Sequence, residues 1–174
     1  MYEIDSRDVV VELTDAPKPD AGAPLPQLLA TEDRLLLAYL VSVPDPHWDG
    51  TYANMISSDT EGLSVAIVDF RRASAHLFGS PNDEVFAGHP LASRGLHPYS
   101  VFEIQNSSWI RKLEMMNSVH RSHDKRRFMA DRHHFIFAFH DTTFECVAKD
   151  FSYSAFRGSM RSAFVRMLET ATMR

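Results

Sequence analysis

The sequence has one cysteine, Cys146, among 174 residues, so no disulfide bond can form within the chain. Such sparing use of cysteine is typical of proteins in a reducing compartment. The chain also lacks a run of about eighteen apolar residues, which a membrane-spanning helix requires. Its first residues, MYEIDSRDVVVEL, have no basic leader followed by an apolar run, as a signal peptide would. We therefore expect a cytoplasmic protein without a membrane partner.

Motifs of well-known sites are absent as well. The chain has no phosphate-binding loop of the GxGxxG or GxxxxGK(S/T) type, no HExxH or CxxC metal motif and no GxSxG nucleophile elbow. Its pI of about 6.0 lacks the basic excess that is typical of nucleic-acid-binding domains. We accordingly predict no cofactor, and we do not expect nucleic acid as a partner.

The composition that is present is that of a globular protein, with 44% hydrophobic and 24% charged residues. The length favours a single domain that covers residues 1–174. The net charge is -5, but residues 1–62 carry twelve acidic and three basic side chains, whereas residues 63–174 carry eleven and fifteen. This asymmetry could steer an anionic ligand, or it could serve packing between the two parts.

Short alternating or β-branched stretches predict at least seven strands. Turn-rich segments rather than helices separate them, so we expect a largely antiparallel sheet. The predicted strands are 9–13, 34–41, 64–70, 74–79, 99–105, 134–140 and 144–150, with 151–156 as an eighth.

Two further segments have the three- and four-residue spacing of amphipathic helices. The first begins at Ser107 or Ser108, and the second begins after Ser159; each of these serines is a candidate N-cap. The apolar stripe of the second helix is predicted to comprise Met160, Ala163, Phe164, Met167, Leu168 and Ala171. The predicted fold class is therefore α+β, with a mainly antiparallel sheet, sandwich-like or a half-barrel, that carries two amphipathic helices.

Three connections are long or unusual. Residues 15–27 contain four prolines, which favours an extended surface segment. Residues 44–62 and 79–98 exceed the length of ordinary turns, and such loops are functional or mobile. In the first of them, Trp48 could offer an aromatic platform to a partner or fold back onto the core.

The stretch HHFIFAFHDTTFECVA, residues 133–148, concentrates reactive side chains. If Asp141 and Thr142 form a two-residue turn, period-two alternation places the phenylalanines and Cys146 on one face. His134, His140 and Glu145 then share the opposite face, and the cysteine, buried among aromatic rings, cannot act as a nucleophile with them. A register shift of one residue would exchange the two faces.

This hairpin supports a hypothesis of acid–base catalysis. His140, or His120, would act as the base, and Asp141 or Glu145 would orient it, with assistance by a metal in a hydrolase. The simpler interpretation is that Asp141 and Thr142 are only turn residues. Because no nucleophile is identifiable, the enzyme is the alternative to a binding function.

Nine histidines also raise the question of a metal site. His120 and His123 form a local pair, for which His134, His140 or Glu145 could supply remote ligands. This spacing decides neither for nor against a bound metal.

A non-enzymatic binding function is the first hypothesis. Residues 121–134 interleave five Lys and Arg residues with Phe128, a pattern that can hold phosphate or simply form a solvated loop. We predict that a small polar ligand or a protein partner binds through loops 79–98 and 120–134. The residues singled out are His89, Arg94, Asn106, Trp109, His120 and His123. The aromatic and methionine content is also compatible with a homodimer.

The elements HPL at 89–91, NSSWI at 106–110 and FHDTTFEC at 139–146 resemble elements shared by a group of uncharacterised bacterial proteins. The resemblance covers about residues 76–148, a little under half of the chain. It implies a small soluble bacterial protein, and it implies no activity, cofactor or site.

Overall fold

The structure is a computed structural model that describes residues 2–43 and 55–173. Most of the long connection 44–62, including Trp48, therefore lies outside the described residues. The strands are β1 (Val9–Glu12), β2 (Gln27–Ala30), β3 (Leu35–Leu40), β4 (Leu63–Arg71), β5 (Ala75–Gly79), β6 (Val101–Gln105), β7 (His133–Ala138), β8 (Thr143–Ala148) and β9 (Asp150–Gly158). The helices are α1 (Ser108–Asn117), α2 (Lys125–Ala130) and α3 (Met160–Thr172).

The strands form two antiparallel sheets. The first sheet has the strand order β1-β6-β7-β8-β5, and the second has the order β2-β3-β4-β9. Side chains of both sheets meet in one apolar cluster, which makes the arrangement a sandwich. The predicted α+β class with a mainly antiparallel, sandwich-like sheet is thus confirmed.

Aromatic rings fill the space between the two sheets. Phe70 of the second sheet lies 5.6 Å from Phe137 of the first, measured between ring centroids, and Tyr39 lies 5.3 Å from Phe139. Cys146 is fully buried in the same cluster, and burial raises the pKa of its thiol. The cysteine is therefore a core residue, as the alternation of the hairpin predicts.

The β7–β8 hairpin has the predicted faces but a different register. Ala138 pairs with Thr143 and Phe137 with Phe144, whereas a two-residue turn would pair Phe137 with Cys146. The turn contains four residues and is closed by a hydrogen bond from the Phe139 N–H to the Thr142 carbonyl, at 2.9 Å. The shift equals two residues, so every side chain keeps its predicted face.

Helix α3 covers the outer face of the second sheet. Ser159 caps it as predicted, by accepting a hydrogen bond from the Ser162 N–H. Met160, Ala163 and Met167 are buried. Phe164 and Leu168, in contrast, are 40% and 45% exposed, so the buried stripe is narrower than the prediction.

The outer face of the first sheet carries α1, α2 and two 3₁₀ turns, Phe86–Gly88 and Ala92–Arg94. Ser107 rather than Ser108 caps α1, because its hydroxyl accepts the Ile110 N–H at 3.3 Å. The two 3₁₀ turns belong to the predicted loop 79–98 and α2 to the predicted loop 120–134. The outer face of the first sheet therefore carries parts of both predicted ligand-binding loops.

Two elements differ from the predicted set. Strand β2 follows the proline-rich segment directly and has only four residues, too few to show alternation. Helix α2 interrupts the predicted loop 120–134 and begins after Asp124, whose side chain caps it by accepting the Arg127 N–H. None of the helices in residues 2–43 and 55–173 is long and apolar enough to cross a membrane.

Candidate functional site

A buried network of polar side chains centres on Glu145. Strands β7 and β8 place His134 and Glu145 on the same outer face, as diagonal neighbours. The Nε2 atom of His134 lies 3.0 Å from one carboxylate oxygen of Glu145, and the Nε2 atom of His89 lies 3.1 Å from the other. The hydroxyl of Tyr2 donates to the same oxygen as His134, at 2.7 Å. We call Tyr2, His89, Ser107, His134 and Glu145 the glutamate network.

The contacts of Nδ1 determine which ring nitrogen carries the proton in His89 and His134. The Leu91 N–H donates to Nδ1 of His89 at 3.1 Å, so the neutral ring carries its proton on Nε2 and donates it to Glu145. Nδ1 of His134 lies 2.9 Å from the Ser107 hydroxyl. When this hydroxyl donates to Nδ1, the neutral ring of His134 also carries its proton on Nε2 and donates it to Glu145. The carboxylate of Glu145 thus accepts three hydrogen bonds.

These hydrogen bonds keep Glu145 ionised in spite of its burial. Burial alone would raise its pKa, but the hydrogen bonds from His134 and His89 outweigh that effect and lower the pKa to about 2. Burial, and then the Glu145 carboxylate, raises the pKa of Tyr2, which therefore remains a phenol that donates.

Tyr2 and Trp109 close the glutamate network. Their rings stack with centroids 5.2 Å apart, and the edge of the Trp109 ring meets His134. The side chains of His89 and His134 have no exposed surface, and Glu145 is 3% exposed. A network that is both sealed and fully hydrogen-bonded holds the fold together and offers no open atom to a substrate.

A second histidine–carboxylate pair lies nearer the surface, at the β7–β8 turn. Nδ1 of His140 lies 2.8 Å from the Asp83 carboxylate, and the hydroxyl of Tyr99 also donates to that carboxylate. The hydrogen bond from Tyr99, together with that from His140, lowers the pKa of Asp83. Burial and Asp83 raise the pKa of Tyr99 to about 12. The side chain of His140 is 42% exposed.

This pair is held by backbone contacts between the two loops. The Asp83 N–H donates to the His140 carbonyl at 2.8 Å, and the Tyr99 N–H donates to the Ala138 carbonyl. Tyr99 itself has a φ of 60°, a left-handed conformation that costs a non-glycine residue about 1 kcal/mol or more. In this conformation the Tyr99 hydroxyl donates to Asp83.

The third feature is an open cleft of 610 Å³ between the α1–α2 region and the β4–β5 turn. We call it the arginine cleft. It is lined by Arg72, Asn117, His120, Ser122, His123, Asp124, Arg127, Phe128, Asp131 and Arg132. Two predicted ligand-binding residues, His120 and His123, therefore lie in one cleft with three arginines.

The two histidines of the arginine cleft differ in how many of their ring nitrogens are engaged in hydrogen bonds. Nε2 of His123 lies 2.8 Å from the Glu114 carboxylate, and Nδ1 lies 3.0 Å from the Asn117 amide. His120 is exposed, and its Nδ1 accepts the Ser122 N–H at 3.2 Å. Its Nε2 is thereby the protonated nitrogen and can donate to a ligand.

The remaining predicted residues lie apart from these three features. Arg94 donates to the carbonyls of Asp5 and Asp8 and so fastens the N-terminal segment. Asn106 has a φ of 52° and offers its carbonyl to Arg111. Asp141 is exposed in the β7–β8 turn. The structure thus brings His89, Trp109 and Glu145 together, pairs His140 with Asp83 and places His120 and His123 elsewhere.

The described residues contain no group of three or more His, Cys, Asp and Glu side chains that could hold a metal ion. In the glutamate network, hydrogen bonding explains why His89 is not a metal ligand. His89 cannot offer a lone pair at Nε2 while its Nδ1 accepts the Leu91 N–H.

Sequence reasoning missed Tyr2, Asp83, Tyr99 and Ser107 as partners of the predicted histidines. Each partner is remote along the chain; Tyr2 precedes Glu145 by 143 positions, and Asp83 precedes His140 by 57. In the sequence, Asp83 is distinguished only as a polar residue of the long loop 79–98.

Comparison of the chain with protein-family models, curated proteins and solved structures finds no match.

Proposed function

We propose that the protein binds a small anionic ligand in the arginine cleft. The observation that carries the proposal is the convergence of Arg72, Arg127 and Arg132 on one open cavity. Within the part of the chain that the structure describes, none of the three lies within 4.0 Å of a carboxylate oxygen. Guanidinium groups without a carboxylate partner are suited to phosphate or carboxylate ligands, which they bind in a bidentate manner.

Half of the ten other arginines that the structure describes are paired with an acidic side chain. Five of them contact a carboxylate: Arg7, Arg34, Arg71, Arg111 and Arg161. Acidic side chains are also present in the cleft, but Asp124 is engaged in capping α2. The cleft therefore keeps cationic groups available at a place where the fold could have neutralised them.

Arg132 is the best-positioned of the three. Its guanidinium lies 3.6 Å above the Phe128 ring, and one nitrogen donates to the Phe128 carbonyl at 3.2 Å. Its Nε is buried without a hydrogen-bond partner among the described residues. Burial lowers the pKa of this guanidinium, while the nearby Asp131, which also lines the cleft, raises it; a bound anion would add the acceptor that Nε lacks.

The segment 120–134 fits this function more closely than loop 79–98. It contributes most of the cleft, including His120 with its protonated Nε2. No residue of 79–98 appears among the described residues that line the cleft. A small anion such as phosphate or a carboxylate suits the mixed lining of guanidinium, hydroxyl and imidazole donors.

Isothermal titration of the full chain with inorganic phosphate and with citrate tests the proposal. We expect binding that Arg132→Ala weakens by about tenfold or more, since a charge-assisted hydrogen bond contributes about 1.5–3 kcal/mol. Arg132→Lys keeps the positive charge but loses the paired N–H donors of the guanidinium group, so it should retain part of the affinity.

Arg166→Ala is the matched control, because Arg166 also lies over a ring, 3.8 Å above Phe156, but outside the cleft. It should leave affinity unchanged. Absence of binding of both anions, or equal affinity of wild type and Arg132→Ala, would overturn the proposal.

A second candidate function rests on the Asp83–His140 pair. Because Nδ1 of His140 donates to Asp83, Nε2 holds the lone pair of a general base. The ring is partly exposed, unlike those of the glutamate network. In hydrolysis of an activated ester, Nε2 would take a proton from water as the water oxygen attacks the carbonyl and the phenolate leaves.

Hydrolysis of 4-nitrophenyl acetate tests this second candidate. We expect the protein to hydrolyse the ester faster than free imidazole at the same concentration. His140→Gln and Asp83→Asn should each reduce this excess rate, with little change in melting temperature. His97→Gln is the control, since His97 is equally exposed and lies 3.6 Å from Glu12. If His97→Gln reduces the rate as much as His140→Gln, the Asp83–His140 pair has no catalytic role.

A further inference from the structure

The edges of the two sheets differ in length. Strands β1 and β5 border the first sheet, and β2 and β9 border the second. Three of these edge strands have four or five residues, whereas β9 has nine. A long edge strand presents a row of free backbone N–H and C=O groups that can pair with another chain.

Strand β9 also lacks the features that protect edges. Residues 150–158 contain no lysine and no proline, and they pair with β4 through nine consecutive residues without a bulge. Strand β2, at the opposite edge, follows Pro24 and Pro26. Natural sheets that leave such an edge unprotected use it for pairing.

The side chains of β9 leave the edge accessible. Ser152, Tyr153, Ser154 and Ala155 are all exposed, and the described residues make no other backbone hydrogen bond to this stretch. Tyr153 and Phe151 line an open groove of 360 Å³ that runs between the sheets beside β9. Small side chains in the middle of the strand allow close approach of another strand.

The two ends of β9 carry opposite charges: Asp150 at the start, which also pairs with Arg71 of β4, and Arg157 near the end, which also donates to the Gly62 carbonyl. Antiparallel pairing of β9 with β9 of a second copy brings the acidic end of each strand beside the basic end of the other. When Ser154 lies opposite itself, Phe151 lies opposite Arg157 of the second copy. That juxtaposition is the guanidinium–ring contact that Arg166 and Phe156 already make within the chain.

We infer that two copies of the chain associate through antiparallel pairing of their β9 strands, around a two-fold axis at Ser154. The second sheets of the two copies then become one continuous sheet. The register places Phe151 opposite Arg157 twice, once on each side of the axis, and this self-complementarity favours a second copy over an unrelated peptide. The interface is separate from the arginine cleft and does not depend on ligand binding.

Sedimentation velocity of the full chain, with substitutions at Ser154, tests the inference. Wild type should sediment as a dimer at micromolar concentration. Ser154→Lys and Ser154→Glu should each sediment as monomers, because paired strands place two like charges about 5 Å apart at the axis. An equimolar mixture of the two variants should regain the dimer, since lysine then faces glutamate.

The mixture separates loss of pairing from loss of folding, because a misfolded variant would not be rescued by its opposite. Ser6→Lys, at an exposed serine away from β9, should remain a dimer. A monomeric wild type, a dimer that persists in Ser154→Lys, or a mixture that stays monomeric would overturn the inference.

Discussion

The glutamate network and the arginine cleft lie on the same side of the first sheet, and both contain histidine, serine and acidic side chains, but the first is sealed and the second is open. In the glutamate network, three donors surround one carboxylate, and the histidines have no exposed surface. In the arginine cleft, three guanidinium groups meet in an open cavity without a carboxylate within salt-bridge distance among the described residues.

The difference shows that hydrogen-bond satisfaction separates a structural cluster from a binding site more clearly than residue type does. Glu145 and His89 have the chemistry of a reaction centre, but every polar atom of the pair is already engaged. Arg132 has an ordinary side chain, yet its Nε is buried without a partner in the described part of the chain. An unsatisfied buried donor can be satisfied by a water, an ion or a ligand, whereas a satisfied one has no need of any of them.

The largest effect that sharpens this contrast is expected from Glu145→Ala. The substitution leaves the His89 and His134 rings and the Tyr2 hydroxyl without their acceptor in a sealed site. We expect the free energy of unfolding in urea to fall by about 3–5 kcal/mol. Asp131→Ala, which removes a carboxylate from the cleft, should change it by less than about 0.5 kcal/mol. Equal effects of the two substitutions would remove the distinction between the regions.

A second prediction concerns pH. The pKa of Glu145 is about 2 in the folded protein and 4.5 in its ordinary state. Its stabilising contribution is therefore complete above about pH 4.5 and is lost as the pH falls toward about 2. Glu145→Gln cannot titrate, so its stability deficit relative to wild type should shrink over that interval, by about 3 kcal/mol. Urea unfolding of both proteins at about pH 7 and about pH 3 should show about 2 kcal/mol of this change, because Glu145 with a pKa of about 2 is still mostly ionised in the folded protein at about pH 3; a deficit that is equal at both values would contradict the assigned network.

How far the sequence predicts these regions depends on the distance over which the interactions act. Period-two alternation identifies the faces of residues 133–148, and the serine caps of α1 and α3 follow from local pattern. The hairpin register does not, because Phe139 continues the alternation although it already belongs to the turn. Local patterns determine faces and caps; tertiary packing determines where a strand ends.

The partners of the histidines show the same limit. His140 pairs with Asp83 rather than with its sequence neighbour Asp141, and Glu145 meets His89 and Tyr2 from remote segments. Which loops meet depends on the packing of the whole outer face. The basic composition of residues 121–134, in contrast, is a local signal, and residues of this segment line most of the cleft.

The smallest effect is expected from a pair of serines. Ser107 caps α1 and contacts His134, so Ser107→Ala should lower the free energy of unfolding by about 1–2 kcal/mol. Ser122 lies in the cleft and is exposed, so Ser122→Ala should stay within about 0.5 kcal/mol of wild type. Thermal and urea unfolding of both variants provide the comparison. A more damaging effect of Ser122→Ala would place the cleft among the structural elements.

The most direct test of the central claim is a titration of isotope-labelled protein with inorganic phosphate, followed by the backbone amide signals in NMR spectra. The proposed anion site predicts shifts that saturate at Ser122, Arg127 and Arg132, that disappear in Arg132→Ala, and that leave His89 and Glu145 unchanged. Saturating shifts at the glutamate network, or no saturating shift in the cleft, would contradict the proposal that the arginine cleft is the ligand-binding site.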